Sequence, residues 1–319
     1  MLRQLTLIIL VLCLCISCAQ NPPIEKIFDI TQNELAELKL SYYSDYFSFV
    51  GEDDQGLVSF AIDNNRGQDG DTFQADHFLV LHDEKSGWQD VKGNGLYAND
   101  QQQLSTIPNS TFFTFEGSPQ QGLVINSNVN DLSLTISPIQ SKINRGKGLS
   151  QYQMGSAKAV LNWKGREIKG RVIHEYLYLP AFNRLSRKYF GFFKAFNGFY
   201  ARLGEQGDFY LHLQKSEKLA PLIGHALGFV VINDTFYELK NIDLKTESTN
   251  FAWGFYSWPN HWRGNIDTAS QKNTIELKLV QQNSMANWVL GGFAMGIIKG
   301  QLEIDNNSIE IYGLGELIM

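Results

Sequence analysis

A histidine and two tyrosines lie on one face of a strand that the sequence predicts from Arg166 to Leu179. Because successive side chains of a strand point to opposite faces, His174, Tyr176 and Tyr178 point the same way. A neutral imidazole can take up a proton near pH 7, and a phenol can hydrogen-bond a ligand. The pattern predicts either a hydrogen-bonded core histidine or an apolar ligand pocket. In the pocket, His174 is the candidate catalytic residue and the tyrosines contact the ligand.

An aromatic-rich segment at residues 251–262 is the second candidate binding surface. It contains Tyr256, Trp258 and His261 among several further aromatic side chains. Filling of a hydrophobic core is one explanation for such a segment. The alternative is a ligand-stacking wall, in which Tyr256, Trp258 and His261 contact the ligand.

Two other groups of residues resemble metal sites, but their spacing argues against metal binding. The segment Asp63–Asp71 places oxygen-bearing side chains at alternate positions, like a calcium loop. However, Gln68 and Gln74 stand where an EF-hand has glycine and glutamate. Turn chemistry explains this segment. His77 and His82 are five residues apart on a predicted strand, so they face opposite sides. We expect neither a metal nor another cofactor.

Several common catalytic and binding signatures are absent from the sequence. It has no G-x-S-x-G nucleophile elbow, no phosphate-binding loop and no dinucleotide fingerprint. Serine hydrolases, nucleotide hydrolases and nicotinamide dehydrogenases built on those motifs are therefore excluded. The net charge of -6 argues against nucleic acid as a partner.

Short alternating segments, separated by polar turns, must position these residues. Turns such as Lys164-Gly165 and Asn233-Asp234 use residues that hairpins favour, because Asn, Asp and Gly tolerate a positive φ. Many short strands joined in this way are typical of antiparallel barrels or sandwiches. The first domain is expected to contain strands at Tyr46–Val50, Leu57–Asp63, Phe73–His82, Thr111–Phe115, Leu123–Ile125, Leu132–Ile136, Ala157–Trp163 and Arg166–Leu179.

Two segments interrupt the strand pattern. Phe182–Phe196 has aromatic residues at three- and four-residue spacing, which predicts one short helix between strands. Ser216–Gly224 contains a proline and is interpreted as the domain boundary. It divides an N-terminal domain at 45–219 from a C-terminal domain at 220–319. A length of 319 residues also suggests two domains.

The N-terminus resembles a bacterial lipoprotein signal peptide at residues 1–17. The apolar run Leu5–Ile16 is too short to span a bilayer but suits a signal-peptide core. Ile16-Ser17-Cys18-Ala19 is similar to a lipoprotein processing site, in which the cysteine receives a diacylglycerol. The resemblance implies lipidation of Cys18 and a tether at 18–44. An ordinarily cleaved secreted protein and an uncleaved anchor are the alternatives.

This leader implies a location and a thiol content for the mature chain. Ala19 follows the cysteine, which by resemblance to sorting signals favours the outer membrane, facing the periplasm. All three cysteines lie between Cys13 and Cys18. Cleavage before Cys18 would therefore exclude an internal disulfide and a cysteine nucleophile. Within the tether, a short helix is expected around Gln32–Leu38.

Basic residues are concentrated between Lys142 and Lys194, a segment that contains twelve lysines and arginines but only two glutamates. One interpretation is a solvated basic band that is balanced by acidic neighbours elsewhere in the fold. The other is attraction of this band to anionic lipid headgroups. Membrane association would then use both the lipid anchor and the band.

Four parts of the chain resemble one known family. They are Gly56, Phe60 and Arg66 with His77, Phe78 and Asp83; the glycine-rich segment Gly155–Tyr176 around His174; Tyr256–Trp262; and the terminal segment Gly300–Leu317. In this order they are similar to the carotenoid hydratases (hydroxyneurosporene synthases) and the AttH-type two-domain lipocalin-like proteins. Fungal pericyclases are further relatives of that family.

The resemblance implies an all-β fold of two lipocalin-like (calycin-like) antiparallel β-barrels. In the hydratases, a histidine and a carboxylate are implicated in proton transfer to a double bond. His174 matches the histidine, but Ile173 stands where the family has aspartate. After the next hairpin, Ala201 and its neighbours supply no acid.

From these residues the sequence favours a lipid-anchored envelope protein that binds a hydrophobic ligand, either a lipid or an isoprenoid-like molecule. The alternatives are a hydratase- or cyclase-type enzyme acting on a hydrophobic alkene, and a structural envelope lipoprotein without a ligand. A carboxylate close to His174 in the fold would favour the enzyme. A filled barrel interior would favour the structural role.

Overall fold

The computed structural model describes residues 28–98, 104–182, 195–205, 207–214, 220–251, 257–268, 272–288, 291–304 and 307–318. Most of these residues lie in antiparallel strands of two curled sheets. The helices are α1 (Gln32–Leu38) and α2 (Ala220–Ile223), with a 3-10 turn at Asn128–Asn130. No described helix is long and apolar enough to cross a membrane.

The first sheet contains eleven strands. They are β1 (Leu40–Asp53), β2 (Gly56–Asp69), β3 (Thr72–Asp83), β4 (Gly87–Gln89), β5 (Gly95–Ala98), β6 (Thr114–Ser118), β7 (Gly122–Ser127), β8 (Leu132–Ile136), β9 (Gln140–Lys147), β10 (Ser150–Trp163) and β11 (Arg166–Leu179). Their main order is β4-β3-β2-β1-β11-β10-β8-β7-β6, while β5 pairs with β3 and β9 with β10. The first and last strands of this sheet, β1 and β11, are therefore neighbours.

The second sheet contains nine strands and repeats this arrangement. They are β12 (Phe196–Leu203), β13 (Gly207–Gln214), β14 (Ala226–Ile232), β15 (Thr235–Glu238), β16 (Lys240–Phe251), β17 (Ser257–Asp267), β18 (Lys272–Trp288), β19 (Gly291–Ile304) and β20 (Asn307–Ile318). Their order is β15-β14-β13-β12-β20-β19-β18-β17-β16, so the first and last strands are again neighbours. This confirms the predicted all-β fold of two lipocalin-like units.

The chain passes from the first sheet to the second at a different position from the expected domain boundary. This change occurs between Leu179 and Phe196, whereas the sequence placed the boundary at residues 219 and 220. The strands β12 and β13 pair within the second sheet, so they lie on the far side of this change. Pro221 lies in α2, which connects two strands of the same sheet. Pro221 therefore marks a break in the strand pattern within the second sheet.

The predicted helix at Phe182–Phe196 falls mostly on residues 183–194, which lie outside the described residues. Phe196 itself begins β12. The helix predicted at Gln32–Leu38 is confirmed with those bounds. It begins at the N-cap Thr31, where Glu34 completes a capping box. The expected tether overlaps the fold, because β1 begins at Leu40.

Each predicted strand overlaps an observed one, but several observed strands are longer: β1 begins at Leu40, β2 ends at Asp69 and β10 begins at Ser150. The bounds of β8 and β11 are those that the sequence predicts. The sequence placed the β6 strand at Thr111–Phe115, but β6 begins at Thr114. The backbone N–H groups of Phe112 and Phe113 donate to the hydroxyl of Ser110 instead of pairing in a ladder. Side-chain hydrogen bonds of this kind favour turns over strands.

Alternation along the strands builds three hydrophobic clusters. One fills part of the first sheet's concave side, one fills the second sheet, and one lies between the two sheets. Strand β11 contributes to two of them, because Val172 packs inside the first sheet and Ile173 packs between the sheets. This explains why β11 is apolar on both faces.

Polar contacts also join the two sheets. Arg171 pairs with the buried Asp208 at 2.7 Å, and the hydroxyl of Tyr200 donates to Glu175 at 2.8 Å. Burial raises the pKa of Asp208, against the opposing effect of Arg171. Glu175 points between the sheets, so the side chains on either side of it in the sequence point into the first sheet.

Candidate functional site

His174 and Tyr176 line a cavity of about 340 Å³ on the concave side of the first sheet. They project from the face of β11 that the alternation predicts. The loop at 105–107 and the β6–β7 hairpin around Pro119 form the opposite wall, and Gln153 lies on the neighbouring strand β10. The structure therefore brings together two of the predicted ligand residues, and it leaves open space beside them.

An aspartate missed by the sequence analysis contacts His174. The Nε2 atom of His174 lies 2.6 Å from Oδ1 of Asp45, although the two residues are 129 positions apart. In the β1–β11 pairing, Phe47 is opposite His174 and Asp45 is opposite Tyr176. Asp45 is thus two residues from Phe47 along β1, on the same face of the sheet as His174. The ring of Phe47 stacks on the imidazole with 4.6 Å between centroids, which fixes its plane.

The guanidinium of Arg66 lies on the other side of Asp45. It is fully buried and donates to Asp45 Oδ2 at 2.8 Å, to the Leu104 carbonyl at 2.7 Å and to Asn64 Oδ1 at 3.0 Å. Burial would raise the pKa of Asp45, but the Arg66 charge and the His174 contact outweigh it and keep the pKa below its usual value. Asp45 is consequently a carboxylate at neutral pH.

This carboxylate sets the tautomer of His174. An ionised carboxylate only accepts hydrogen bonds, so the hydrogen of a neutral imidazole must be on Nε2. Nδ1 is then an acceptor, and it has no hydrogen-bond partner among the residues that the structure describes. Because His174 lines the cavity, Nδ1 is the nitrogen available to a ligand. Asp45 therefore orients His174 in the same way as the aspartate of a catalytic triad orients its imidazole.

Three tyrosines continue from the Asp45–His174 pair towards the rim of the sheet. The rings of Tyr43 and Tyr178 stack with 4.5 Å between centroids, and Tyr176 lies 6.3 Å from Tyr43. Burial and the nearby Tyr43 and Asp45 raise the pKa of Tyr176, so its phenol remains a hydrogen-bond donor at neutral pH. Burial likewise raises the pKa of Tyr178 to about 12.

The sequence predicts that turn chemistry explains the polar run Asp63–Asp71, but most of this run lies in a strand. Strand β2 continues through Asp69, and the turn is confined to Gly70 and the next residue. Within this strand, Arg66 supplies the buried charge of the site, while Asn65 on the opposite face accepts from the Tyr42 hydroxyl. This run resembles a loop in the sequence because the residues that bury it are distant along the chain.

The cavity is also more polar than expected. The prediction was an apolar pocket, yet Ser105, Thr106, Gln151 and Gln153 line it together with the Asp45–His174 pair. Its apolar lining comes chiefly from the β6–β7 hairpin. A suitable ligand therefore has hydrogen-bonding groups as well as apolar surface.

The second predicted binding surface does not join this cavity. Trp258 is buried in the hydrophobic cluster of the second sheet. His261 lies in β17, where its Nε2 is 3.0 Å from Glu276 Oε1. Tyr256 lies outside the described residues, as do Cys18 and the leader. For Trp258, core filling is the interpretation that the structure favours.

The two histidines of β3 face opposite sides, as predicted from their odd spacing. His77 packs edge-on against Phe113 inside the first sheet, with 5.7 Å between centroids. His82 faces the second sheet, where its Nε2 lies 2.6 Å from the amide oxygen of Gln281. Across the described ranges, no group of three His, Cys, Asp or Glu side chains is arranged to hold a metal.

Several members of the basic band have carboxylate partners. Residues 183–194 of the band lie outside the described residues. The described pairs include Arg145 with Glu238, Arg166 with Asp53 and Arg171 with Asp208. This is the arrangement that the solvated-band interpretation expects, and attraction to anionic lipid stays a prediction.

Comparisons with known proteins add the fold but no sequence family. No family model matches the sequence, and neither does any curated protein. A crystal structure from Nitrosomonas europaea described as an AttH has a TM-score of 0.54 at 11% identity, covering 88% of this chain and 93% of that chain. Kievitone hydratase from Nectria haematococca has a TM-score of 0.52 at 9% identity, covering 86% and 88%. The chain therefore has the two-domain lipocalin-like fold of these structures.

Proposed function

We propose that this protein is an enzyme that moves a proton to or from an amphipathic, largely hydrophobic small molecule held in the first-sheet cavity. The reaction class that the site suits best is hydration, dehydration or cyclisation at a carbon–carbon double bond. The observation that supports this proposal is the Asp45–His174 contact of 2.6 Å beside an open cavity. A carboxylate at this position is the feature that separates the enzyme from a plain binding protein.

In the proposed reaction, His174 is the group that exchanges a proton with the substrate. As an imidazolium, it donates the Nδ1 proton to one alkene carbon, and water adds to the neighbouring carbon. The excess proton of that water returns to Nδ1, so the imidazolium is regenerated. The reverse sequence is dehydration. Asp45 acts as a positioning residue, because its charge stabilises the imidazolium and its hydrogen bond keeps Nδ1 towards the cavity.

The surrounding polar groups suit a substrate with an oxygen near the double bond. Tyr176 is a donor at neutral pH, and Gln151 and Gln153 can donate or accept through their amides. A phenol or a similar oxygen group would satisfy these contacts. One structural neighbour is named a hydratase, which supports this reaction class by analogy of fold alone.

The second candidate is a binding protein without turnover. His174 is only 6% exposed and is stacked on Phe47, which is also compatible with a structural histidine at the cavity floor. Such a protein would bind the same amphipathic ligand. It would not alter the ligand.

The two candidates differ in whether solvent deuterium enters the ligand. Purified protein would be incubated in heavy water with phenols that bear an isoprenoid alkene side chain, and the mixture would be analysed by mass spectrometry and NMR. We expect a product that has gained one water, with deuterium on the protonated carbon. Binding without any such product would support the second candidate and contradict the enzyme.

We also propose that the chain is anchored to a bacterial membrane through a lipid on Cys18. The support is the apolar run Leu5–Ile16 followed by the lipoprotein-like residues that end at Ala19. By the same resemblance, the protein would lie at the outer membrane and face the periplasm.

Replacing Cys18 by alanine should move the protein from the membrane fraction to the soluble or precursor fraction. The thiol is the proposed attachment point for the acyl chains, which hold a protein at a bilayer through buried methylenes. Cell fractionation and mass spectrometry of the mature N-terminus would measure this. Cys13→Ala is the matched control, and it should leave acylation unchanged. Wild-type protein without an acyl mass would refute the anchor.

A further inference from the structure

The short helix α1 covers a second cavity without filling it. Its ends are well formed, because Thr31 and Glu34 build a capping box and Lys39 adopts a left-handed C-cap conformation. None of its side chains is buried, and Leu38 is 40% exposed. An isolated helix this short is not stable in water, and helices in folded proteins normally bury an apolar stripe. The apolar side chains of α1 therefore lack the packing that such a helix usually has.

The space beneath α1 has a volume of about 400 Å³, and we call it the distal cavity. Its lining includes Leu35 and Ala36 from α1, Tyr43 and Gln68 from the first two strands, Leu104, and Tyr178 from β11. The stacked rings of Tyr43 and Tyr178 give it an aromatic floor. Lys39, Ser41 and Ser105 also line it, so polar side chains lie beside the leucines and the aromatic floor.

The distal cavity is adjacent to the candidate catalytic site. Ser105 lines both cavities. Tyr176 of the catalytic cavity lies 6.3 Å from Tyr43 of the distal cavity, measured between ring centroids. The two spaces are therefore adjacent along one face of the sheet. The polar end contains the proton-transfer pair, and the aromatic end lies under α1.

We propose that the distal cavity is a subsite for the apolar tail of the same ligand whose polar head lies at His174 and Tyr176. The substrate class is thus an elongated amphipathic molecule, such as a phenol with a hydrocarbon chain. Its tail supplies the packing that α1 lacks. This inference rests on the proposed function, because it takes the head group to be at His174.

A series of 4-alkylphenols with ethyl, butyl, hexyl and octyl chains tests this subsite by calorimetry on the full chain. Burial of each methylene is worth about 0.8 kcal/mol, which corresponds to about fourfold in affinity. We expect affinity to rise with chain length in the wild type. Ala36→Trp places an indole over the distal cavity, so it should weaken octylphenol binding at least tenfold and leave ethylphenol binding unchanged. Glu37→Trp is the matched control, because Glu37 lies on the same helix but does not line the cavity.

The outcomes separate this inference from the proposed function. If Ala36→Trp and Glu37→Trp give the same length dependence as the wild type, the distal cavity is not the tail subsite. If His174→Gln still weakens ethylphenol in that case, the head-group site stands and only the subsite is rejected. If Ala36→Trp changes the dependence of affinity on chain length but His174→Gln leaves the affinity for ethylphenol unchanged, the head group does not lie at His174. Absence of binding by every phenol overturns the ligand class proposed for both cavities.

Discussion

Replacing His174 by glutamine should lower turnover of an alkene-bearing phenol by about 10²–10⁴-fold, the usual contribution of general acid–base catalysis. Glutamine keeps a polar side chain beside Asp45, but it cannot exchange a proton near neutral pH. The rate would be measured as formation of the hydrated product. Thermal unfolding of the same sample would show that the fold is retained, because the cavity leaves room for the replacement.

The matched control for this substitution is His261→Gln. His261 also contacts a carboxylate, that of Glu276, but it lies in the second sheet and away from the cavity. Turnover should therefore stay within about twofold of the wild type. Loss of activity in the His261 variant, or full activity in the His174 variant, would contradict the assignment of His174 as the catalytic residue.

Replacing Asp45 by asparagine should lower the free energy of unfolding by about 3–5 kcal/mol, because it leaves the buried Arg66 charge uncompensated. Arg66 is fully buried, and Asp45 is the one carboxylate that it pairs with in the described part of the chain. Chemical denaturation at pH 7 would measure the loss. The variant should also lose turnover, since asparagine lacks the negative charge that stabilises the His174 imidazolium in the proposed reaction.

The double variant Asp45→Asn with Arg66→Met provides the control. Removing both charges avoids an unpaired buried ion, so the double variant should be more stable than Asp45→Asn alone. The interaction energy from this cycle isolates the ion pair from changes in packing. Strictly additive losses would show that the pair is not coupled, and they would contradict the geometry at 2.8 Å.

The stability difference between wild type and Asp45→Asn should depend on pH. Folding lowers the pKa of Asp45, by the net effect of burial, the Arg66 charge and the His174 contact. Its contribution is therefore fully present above the unfolded value of about 3.9, and it is lost as pH falls through the folded value. The difference should shrink below about pH 4, where the Asp45 carboxylate begins to be protonated. A difference that persists unchanged in acid would rule out this linkage.

Local periodicity was sufficient to identify the strand of the site. The alternation along Arg166–Leu179 placed His174 and Tyr176 on one face, and the structure puts both in the cavity. The hairpin at Lys164-Gly165 was predictable from Gly165, because glycine tolerates the positive φ that it adopts there. These features depend on neighbours in the chain, and the sequence contains that information directly.

Local reasoning failed where partners are far apart along the chain. Asp45 lies just before the predicted strand Tyr46–Val50, and its role follows only from the pairing of β1 with β11. Arg66 is visible in the sequence as part of a polar run, but its hydrogen bonds to the Leu104 carbonyl and to Asp45 follow only from the tertiary structure. Residues 173 and 201 are not acids, and the carboxylate beside His174 comes instead from β1, the first strand of the sheet in which β11 is the last.

The sequence by itself determined the all-β class, the strand that contains His174 and the face on which it lies, since side-chain alternation and turn chemistry are local properties. Only the tertiary structure decided that Asp45 contacts His174, that Trp258 belongs to the second sheet's core, and that the change of sheet precedes β12. These depend on which strands pair across long loops. Pairing is decided by the packing of whole sheets, and no short stretch of sequence encodes it alone.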